Sequence, residues 1–423
     1  MAQGPQITVL SPSPTGSGWE EPVARPFNNV EAISQLPDQC YAFLHVRDYP
    51  PADGRREALL AHFGVPSYVA NRTCFELSAY FGSRATYNEE STEEKKPVTS
   101  CTTWFRCLAK MVRKVTDPHE ENPEYVDDPP EIGADSVAGT KGYRWYEMSF
   151  FTRWVSPKKC QVLCVDTPWD LPGELHKALN TRDTPLEFRD PFAMHADLMD
   201  QVIVYCDIAV WRVRDPVREL EKKRIGIGGI FQPIHDISRH AIHTSEVLEA
   251  AAETMSDLKK CQTKMHEALP DGGLTITYRQ QAKEHVQFQI SLVKALKLRS
   301  DSSRERLKNE VNLAFNNMSR QDNNVMKSIA LLTMIFLPAT FFSALFSTTF
   351  FTFGDDGGWE VSDKLWIYWA TIIPATLGVL IIWGFWLYGP EIRDFLKRYT
   401  NKFTKGMAKR RKKPAPATVN KQP

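Results

Sequence analysis

The run from Ser328 to Phe353, SIALLTMIFLPATFFSALFSTTFFTF, contains no charged residue. A helix needs about 20 apolar residues to cross the ~30 Å hydrocarbon core of a bilayer, so this run is long enough to span with some tilt. A second run, Leu365 to Tyr388, follows after a short loop. Together they predict a membrane hairpin near the end of the chain, at 328–353 and 365–388. A large polar body precedes it and a basic tail follows it.

Charge sets the orientation. The loop at 354–364 carries Asp355, Asp356, Glu360 and Asp363. Arg320 and Lys327 precede the hairpin, and Arg393, Lys397, Arg398, Lys402 and Lys405 follow it. Basic residues stay on the cytoplasmic side, so both termini are expected in the cytosol and the acidic loop outside. Met1 to Pro26 is rich in Pro, Gly and Ser without an apolar h-region, so the hairpin itself is expected to direct insertion. The eight cysteines then lie in a reducing space, and no disulfide framework is expected. The net charge of +1 implies no nucleic-acid partner. The tail at 389–423, with Lys409-Arg410-Arg411-Lys412-Lys413, suits an anionic lipid leaflet.

Along the chain, residues 1–28 hold too few apolar side chains for a core and read as disordered. Residues 29–190 read as a cytosolic α/β domain. CYAFLHV from Cys40 and FELSAYF around Phe75 have strand character, as do Tyr143–Val155 and Cys160–Val165. Residues 191–273 read as a pair of long helices, Phe192 to about Lys223 and Ile234 to Leu269. RIGIGGI, Arg224 to Ile230, breaks them as a loop; no Lys-Ser/Thr follows it as a phosphate loop requires. His235, Asp236, His240 and His243 open the second helix. Asp236, His240 and His243 share a face and offer a metal two imidazoles and a carboxylate, but the same residues serve as a helix cap and packing groups.

From Thr275 a helical pattern runs into the first apolar stretch without a convincing stop before Pro338. Residues 274–327 are therefore a stalk that becomes the first membrane helix. Leu307, Val311, Ala314, Met318 and Val325 recur at the spacing of a packed seam. Asn309, Asn312, Asn316, Ser319 and Asn323 form a nearly opposite stripe of uncharged polar groups. Carried into the membrane, that stripe passes Met326, Ile329 or Ala330, Thr333, Leu337 and Thr340. It suits a wet, enclosed surface, although threonines in such helices also bond back to the backbone. The second membrane helix has aromatic residues at both ends, Trp366, Tyr368 and Trp369, then Trp383, Trp386 and Tyr388, around an aliphatic centre. It reads as lipid-facing. One hairpin cannot enclose a channel, so a pore requires a ring of subunits with first helices inside.

The segment NNVMKSIALLTMIFLPATFFSALFSTTFF resembles the stalk-to-pore segment of CorA-type divalent cation channels. The short acidic loop, second helix and basic end follow the same plan. HDISRHAIHTSE and DPFAMHADLMDQV resemble a divergent eukaryotic branch of CorA-like proteins. The resemblance implies an α+β cytosolic domain, a long helical stalk and two C-terminal transmembrane helices, assembled as a funnel-shaped homopentamer. It puts Asn323, Met326, Ile329, Thr333, Leu337 and Thr340 on the pore, the apolar members forming a dewetting gate. At the outer mouth, where the family carries Gly-Met-Asn, this chain has Ser347-Thr348-Thr349. The expected function is a membrane channel for magnesium or a related divalent cation. The alternative is a non-conducting scaffold or sensor of the same architecture. No nucleophile elbow, Walker loop or catalytic metal signature is present, so no enzyme is expected. No cofactor is expected beyond a transported or regulatory cation such as Mg2+. The expected partners are further copies of the chain, membrane lipids and divalent cations, and the expected location is the plasma membrane rather than an internal one.

Overall fold

The computed structural model describes residues 5–383 apart from 15, 17, 28–30, 52–53, 91–95, 113, 116–124, 127–142, 224–230, 270–272, 347–350 and 354–358. The chain divides into two compact units, Met1–Ala314 and Phe315–Pro423.

In the first unit the principal strands are β1 (Gln6–Leu10), β2 (Val23–Pro26), β3 (Gln39–Leu44), β4 (Tyr80–Tyr87), β5 (Val98–Val112), β6 (Tyr143–Val155) and β7 (Lys159–Val165). They form one sheet in the order β2-β1-β3-β7-β6-β5-β4. Neighbours are antiparallel except for β3 and β7, which run parallel. Side chains alternate between the two faces of a strand, and here both faces are covered. Tyr41 and Phe43 of β3, with Cys160, Val162 and Cys164 of β7, enter the core under the long helices. Cys40, Ala42 and Leu44, with Leu163 and Val165, enter the core under the short helices. The short helices are α1 (Glu31–Ser34), α2 (Gly54–His62) and α3 (Arg72–Glu76). After β7 come α4 (Leu171–Asn180), α5 (His195–Lys223) and α6 (Phe231–Ala268). The last helix, α7, begins at Ile276 and ends at Phe346.

Two expectations for this unit are corrected. Residues 1–28 are not a disordered leader, because β1 and β2 extend the sheet. Ile7, Val9, Leu10 and Phe27 are buried. A few apolar residues suffice when an existing sheet supplies the other side of the core. The connection between β1 and β2 is tied down at Trp19, whose N–H donates to Asn180 Oδ1 at 2.7 Å and whose carbonyl accepts from Asn180 Nδ2 at 3.1 Å. Gly18 approaches the same amide with φ +94°, and a Cβ there would collide with Asn180 Oδ1. The second correction is at Phe75, which lies in α3 rather than a strand. The Arg56 guanidinium covers its ring at 4.2 Å. Phe75 is thus used as a cap over a basic group, and the strand begins only at Tyr80.

Gly82 of β4 faces Trp104 of β5, and a Cβ at Gly82 would collide with the indole. Glycine in a strand marks such close approaches. Gly82→Val is expected to displace Trp104 and cost about 1–3 kcal/mol by overpacking, read as a lower unfolding temperature. An unchanged temperature would mean that the indole is not held by that contact.

In the second unit α7 continues to Phe346, short of the expected Phe353. Phe351–Phe353 (β8) instead pairs antiparallel with Trp359–Val361 (β9). The run of Ser347-Thr348-Thr349 that follows α7 is poor in helix formers, and Thr between two Phe favours an extended chain. The hydrophobic run therefore overstates the helix at least by Phe351–Phe353, and β9 lies within what reads as an acidic loop. A last helix, α8, spans Leu365–Trp383. The portion of α7 in this unit and α8 are each apolar and long enough to cross a membrane, by length and composition. Residues 384–388 of the second expected span and the basic tail lie outside the described residues.

Candidate functional site

At about 100° per residue, Asn323, Met326, Ile329, Thr333, Leu337 and Thr340 fall within roughly 120° of the circumference of α7. All six are exposed in the chain; Met326 is 66%, Ile329 55% and Leu337 64% exposed. The polar residues Asn309, Asn312, Asn316 and Ser319, earlier on the helix, are exposed as well. The apolar seam behaves differently along its length. Leu307 is buried against Val217, with Leu220, Ile237 and Val311 packed beside them. Met318 and Val325, further along, are 37% and 54% exposed.

The two threonines are oriented by the helix itself. Thr333 Oγ1 donates to Ile329 O at 2.9 Å, and Thr340 Oγ1 donates to Phe336 O at 2.9 Å and Leu337 O at 3.0 Å. A hydroxyl has one proton and two lone pairs. With the proton spent on the backbone, each Thr offers only acceptor capacity to whatever lies alongside. Asn324 O receives Ser328 Oγ in the same way at 3.0 Å. Pro338 lies between the two threonines and removes one helix hydrogen bond, to the carbonyl of Met334. Leu337 and Thr340 also line an open cavity of about 600 Å³ with Pro338, Phe341, Ala375 and Val379. The two membrane-type helices are joined near it by a hydrogen bond of 2.6 Å between Ser343 Oγ and Tyr368 OH.

The expected mouth, Ser347, Thr348 and Thr349, lies outside the described residues, as do Asp355 and Asp356. Glu360 is in β9, and its side chain lies outside the described residues. Asp363 is exposed in the turn before α8, next to Lys364.

The histidines that open α6 are engaged elsewhere. His243 Nδ1 accepts from Lys110 Nζ at 2.8 Å, and its ring packs on Trp145. His240 is buried edge-on against Tyr143. Asp236 lies in the second turn of α6 rather than at its start. An ammonium beside His243 opposes a metal cation there, and among the described residues no group of three or more His, Cys, Asp or Glu could hold one. Lys110 is itself 1% exposed, with its Nζ 4.3 Å from the Tyr143 ring centre and 4.9 Å from that of Trp145. Burial, and then the charge of Arg239, bring its pKa down to about 8. All eight cysteines are free thiols. Burial pushes Cys40, Cys101, Cys107 and Cys160 well above the ordinary thiol value, which keeps them protonated and unreactive.

A buried polar network that sequence reasoning missed joins the loop before α5 to the ends of α6 and α7. Asp190, 1% exposed, accepts from Phe192 N at 2.9 Å, His266 Nε2 at 2.9 Å and Tyr278 OH at 3.0 Å. Beside it His195 Nε2 meets Thr103 Oγ1 at 2.9 Å and Thr152 Oγ1 at 3.3 Å. The only local signal was Asp190-Pro191, which marks a boundary between elements and says nothing of its partners.

Comparison with known proteins follows the same lines. The family model described as CorA-like Mg2+ transporter protein matches residues 162–397. A curated relative from Aspergillus versicolor, "Notoamide biosynthesis cluster protein M'", is 30% identical over 269 residues, 57% of this chain. The match spans 59% of that relative's length. The structure of the CorA magnesium transporter from Methanocaldococcus jannaschii superposes with a TM-score of 0.51 at 12% identity, covering 90% of this chain and 98% of that one. The full-length CmaX protein gives a TM-score of 0.46 at 12% identity, over 90% of this chain and 98% of that one.

Proposed function

The chain belongs to the CorA-like Mg2+ transporter family, and from that premise we propose that it is an integral, two-pass membrane channel for divalent cations. Copies of the chain, five in the proposed assembly, bring the Asn323–Thr340 face of α7 together around the pore. The observation that carries this reading is the one exposed face of α7 that holds Asn323, Thr333 and Thr340, where the threonine hydroxyls are bonded back to the helix but keep acceptor lone pairs. Magnesium dehydrates reluctantly and keeps several waters. Its shell points protons outward, and acceptor-only threonines receive them. Met326, Ile329 and Leu337 alternate with these groups and form apolar constrictions that close by dewetting. The exposed parts of Met318 and Val325 find their cover on neighbouring copies.

Both termini are proposed to be cytosolic, in the plasma membrane, with Asp355, Asp356, Glu360 and Asp363 outside, where they raise the local cation concentration. Ser347, Thr348 and Thr349 form the mouth in place of Gly-Met-Asn. A hydroxyl ring reaches less far than a ring of amides, so discrimination among divalent ions is weak. The chain makes no covalent bond and needs no resident cofactor.

Uptake of Mg2+ into proteoliposomes tests the proposal. Thr349→Ala is expected to reduce uptake several-fold, and Thr371→Ala on α8 to leave it unchanged. Restoring Gly-Met-Asn at 347–349 is expected to sharpen the preference for magnesium. Equal uptake by wild type, Thr349→Ala and empty liposomes would sink the channel reading. It would favour a non-conducting scaffold or sensor, the reading that the Ser-Thr-Thr mouth supports.

A further inference from the structure

The first turns of α7 are fastened to the rest of the cytosolic unit by polar groups that converge on α5. His285 Nε2 donates to Asp200 Oδ2 at 2.9 Å. One turn on, Gln289 Nε2 donates to Asp200 Oδ1 and to Ala196 O, both at 2.7 Å. Asp200 is thereby shared between two residues of α7. Beneath this contact Val286 and Ile290 are buried in the main core.

We infer that His285 and Asp200 form a proton-sensitive latch that holds the N-terminal part of α7 against α5. His285 and Asp200 side chains are 37% and 38% exposed, so protons reach the pair from solvent. Among the described residues, the charged groups around the imidazole are few. Asp200 and Asp197 face it from α5, and Arg182 faces it from the segment after α4. Arg182 is itself paired with Asp197 at 2.5 Å, so its effect on His285 is partly cancelled. On α6, Lys259 Nζ donates to Gln287 at 2.5 Å, and Gln287 projects about 200° around the helix from His285. The surroundings are net acidic and favour imidazolium.

The hydrogen bond to Asp200 raises the pKa of His285 above its ordinary 6.5, burial opposes it, and the charges of Asp200 and Asp197 add to the rise. A raised imidazole contributes its full stabilisation below the unfolded value and loses it as pH rises through the folded one. The latch is therefore ionic on the acid side of neutrality and relaxes to a neutral hydrogen bond as pH rises. Gln289 remains, so the helix loosens without detaching. Any effect on ion flow rests on the channel reading; the latch itself does not.

Hydrogen exchange of the full-length protein in detergent at about pH 6 and about pH 8, corrected for intrinsic exchange rates, tests it. Protection of residues 276–290, normalised to α6, is expected to fall roughly two- to fivefold in wild type, the range of a solvent-exposed ion pair. His285→Gln and Asp200→Asn are expected to abolish that difference and to sit at the high-pH level throughout. No difference in wild type, or the same difference in His285→Gln, would overturn the latch. Mg2+ uptake measured on the same preparations separates the two readings. Uptake that is absent at both pH values sinks the channel and leaves the exchange result standing.

Discussion

Asp190→Ala is expected to destabilise the cytosolic unit by about 3–5 kcal/mol, the cost of breaking a buried polar cluster at its centre. The carboxylate accepts from the backbone of Phe192, the ring of His266 and the hydroxyl of Tyr278. Alanine strands the Phe192 N–H and the His266 ring where water does not reach, since Phe192 is 2% and His266 5% exposed, and it takes the acceptor from the half-buried Tyr278 hydroxyl. Each stranded group costs about 1–3 kcal/mol. For a unit of this size the unfolding temperature should drop by roughly 5–8 °C. Asp190→Asn is a graded control. Its Oδ1 still accepts from Phe192 and His266, and its Nδ2 can donate to the Tyr278 hydroxyl, which accepts as readily as it donates. It should cost much less, about 1 kcal/mol. Equal losses for Ala and Asn would show that charge, not hydrogen bonding, holds this junction. No loss for Ala would mean that the junction does not hold the fold together.

Acid should destabilise the same unit through His195, by roughly 3 kcal/mol between pH 6.5 and 4. Burial lowers this imidazole from 6.5 to about 4, against a smaller opposing pull from Asp190. It stacks between Phe105 and Phe192, with ring centres at 5.9 Å and 5.2 Å. As pH falls below 6.5 the unfolded chain takes up a proton that the native ring refuses, so the unfolded state gains. Asp166 works the other way. Burial raises it to about 6, so the native state holds its proton over part of the same range. The difference between wild type and His195→Gln isolates the imidazole, because Gln can still bond Thr103 and Thr152 but does not titrate. The denaturant midpoint of wild type should fall more steeply over this range than that of the variant. Parallel pH profiles would mean that His195 is not held neutral.

Some of this protein was written locally in its sequence. An uncharged run of apolar residues reports its own environment, so the two membrane-type helices were legible, as was the helix that leads into the first of them. So were β6 and β7, whose aromatic and branched residues follow strand periodicity. The spacing of Asn323, Thr333 and Thr340 is a property of a single helix, and it put them on one face without any knowledge of a neighbour.

What escaped depends on partners far along the chain. β1 is a strand because β3 lies beside it, and nothing in its own five residues signals that pairing. Phe75 reads as strand by propensity, but the Arg56 guanidinium over its ring comes from a different helix. Phe351 to Phe353 continues the apolar run in composition, yet its backbone pairs with Trp359 to Val361. Asp190 finds its partners 76 and 88 residues away, and His285 finds Asp200 85 residues away. Periodicity measures what one segment does with its own two faces. A hydrogen bond between segments depends on where the whole chain brings them, and only the tertiary structure decides that.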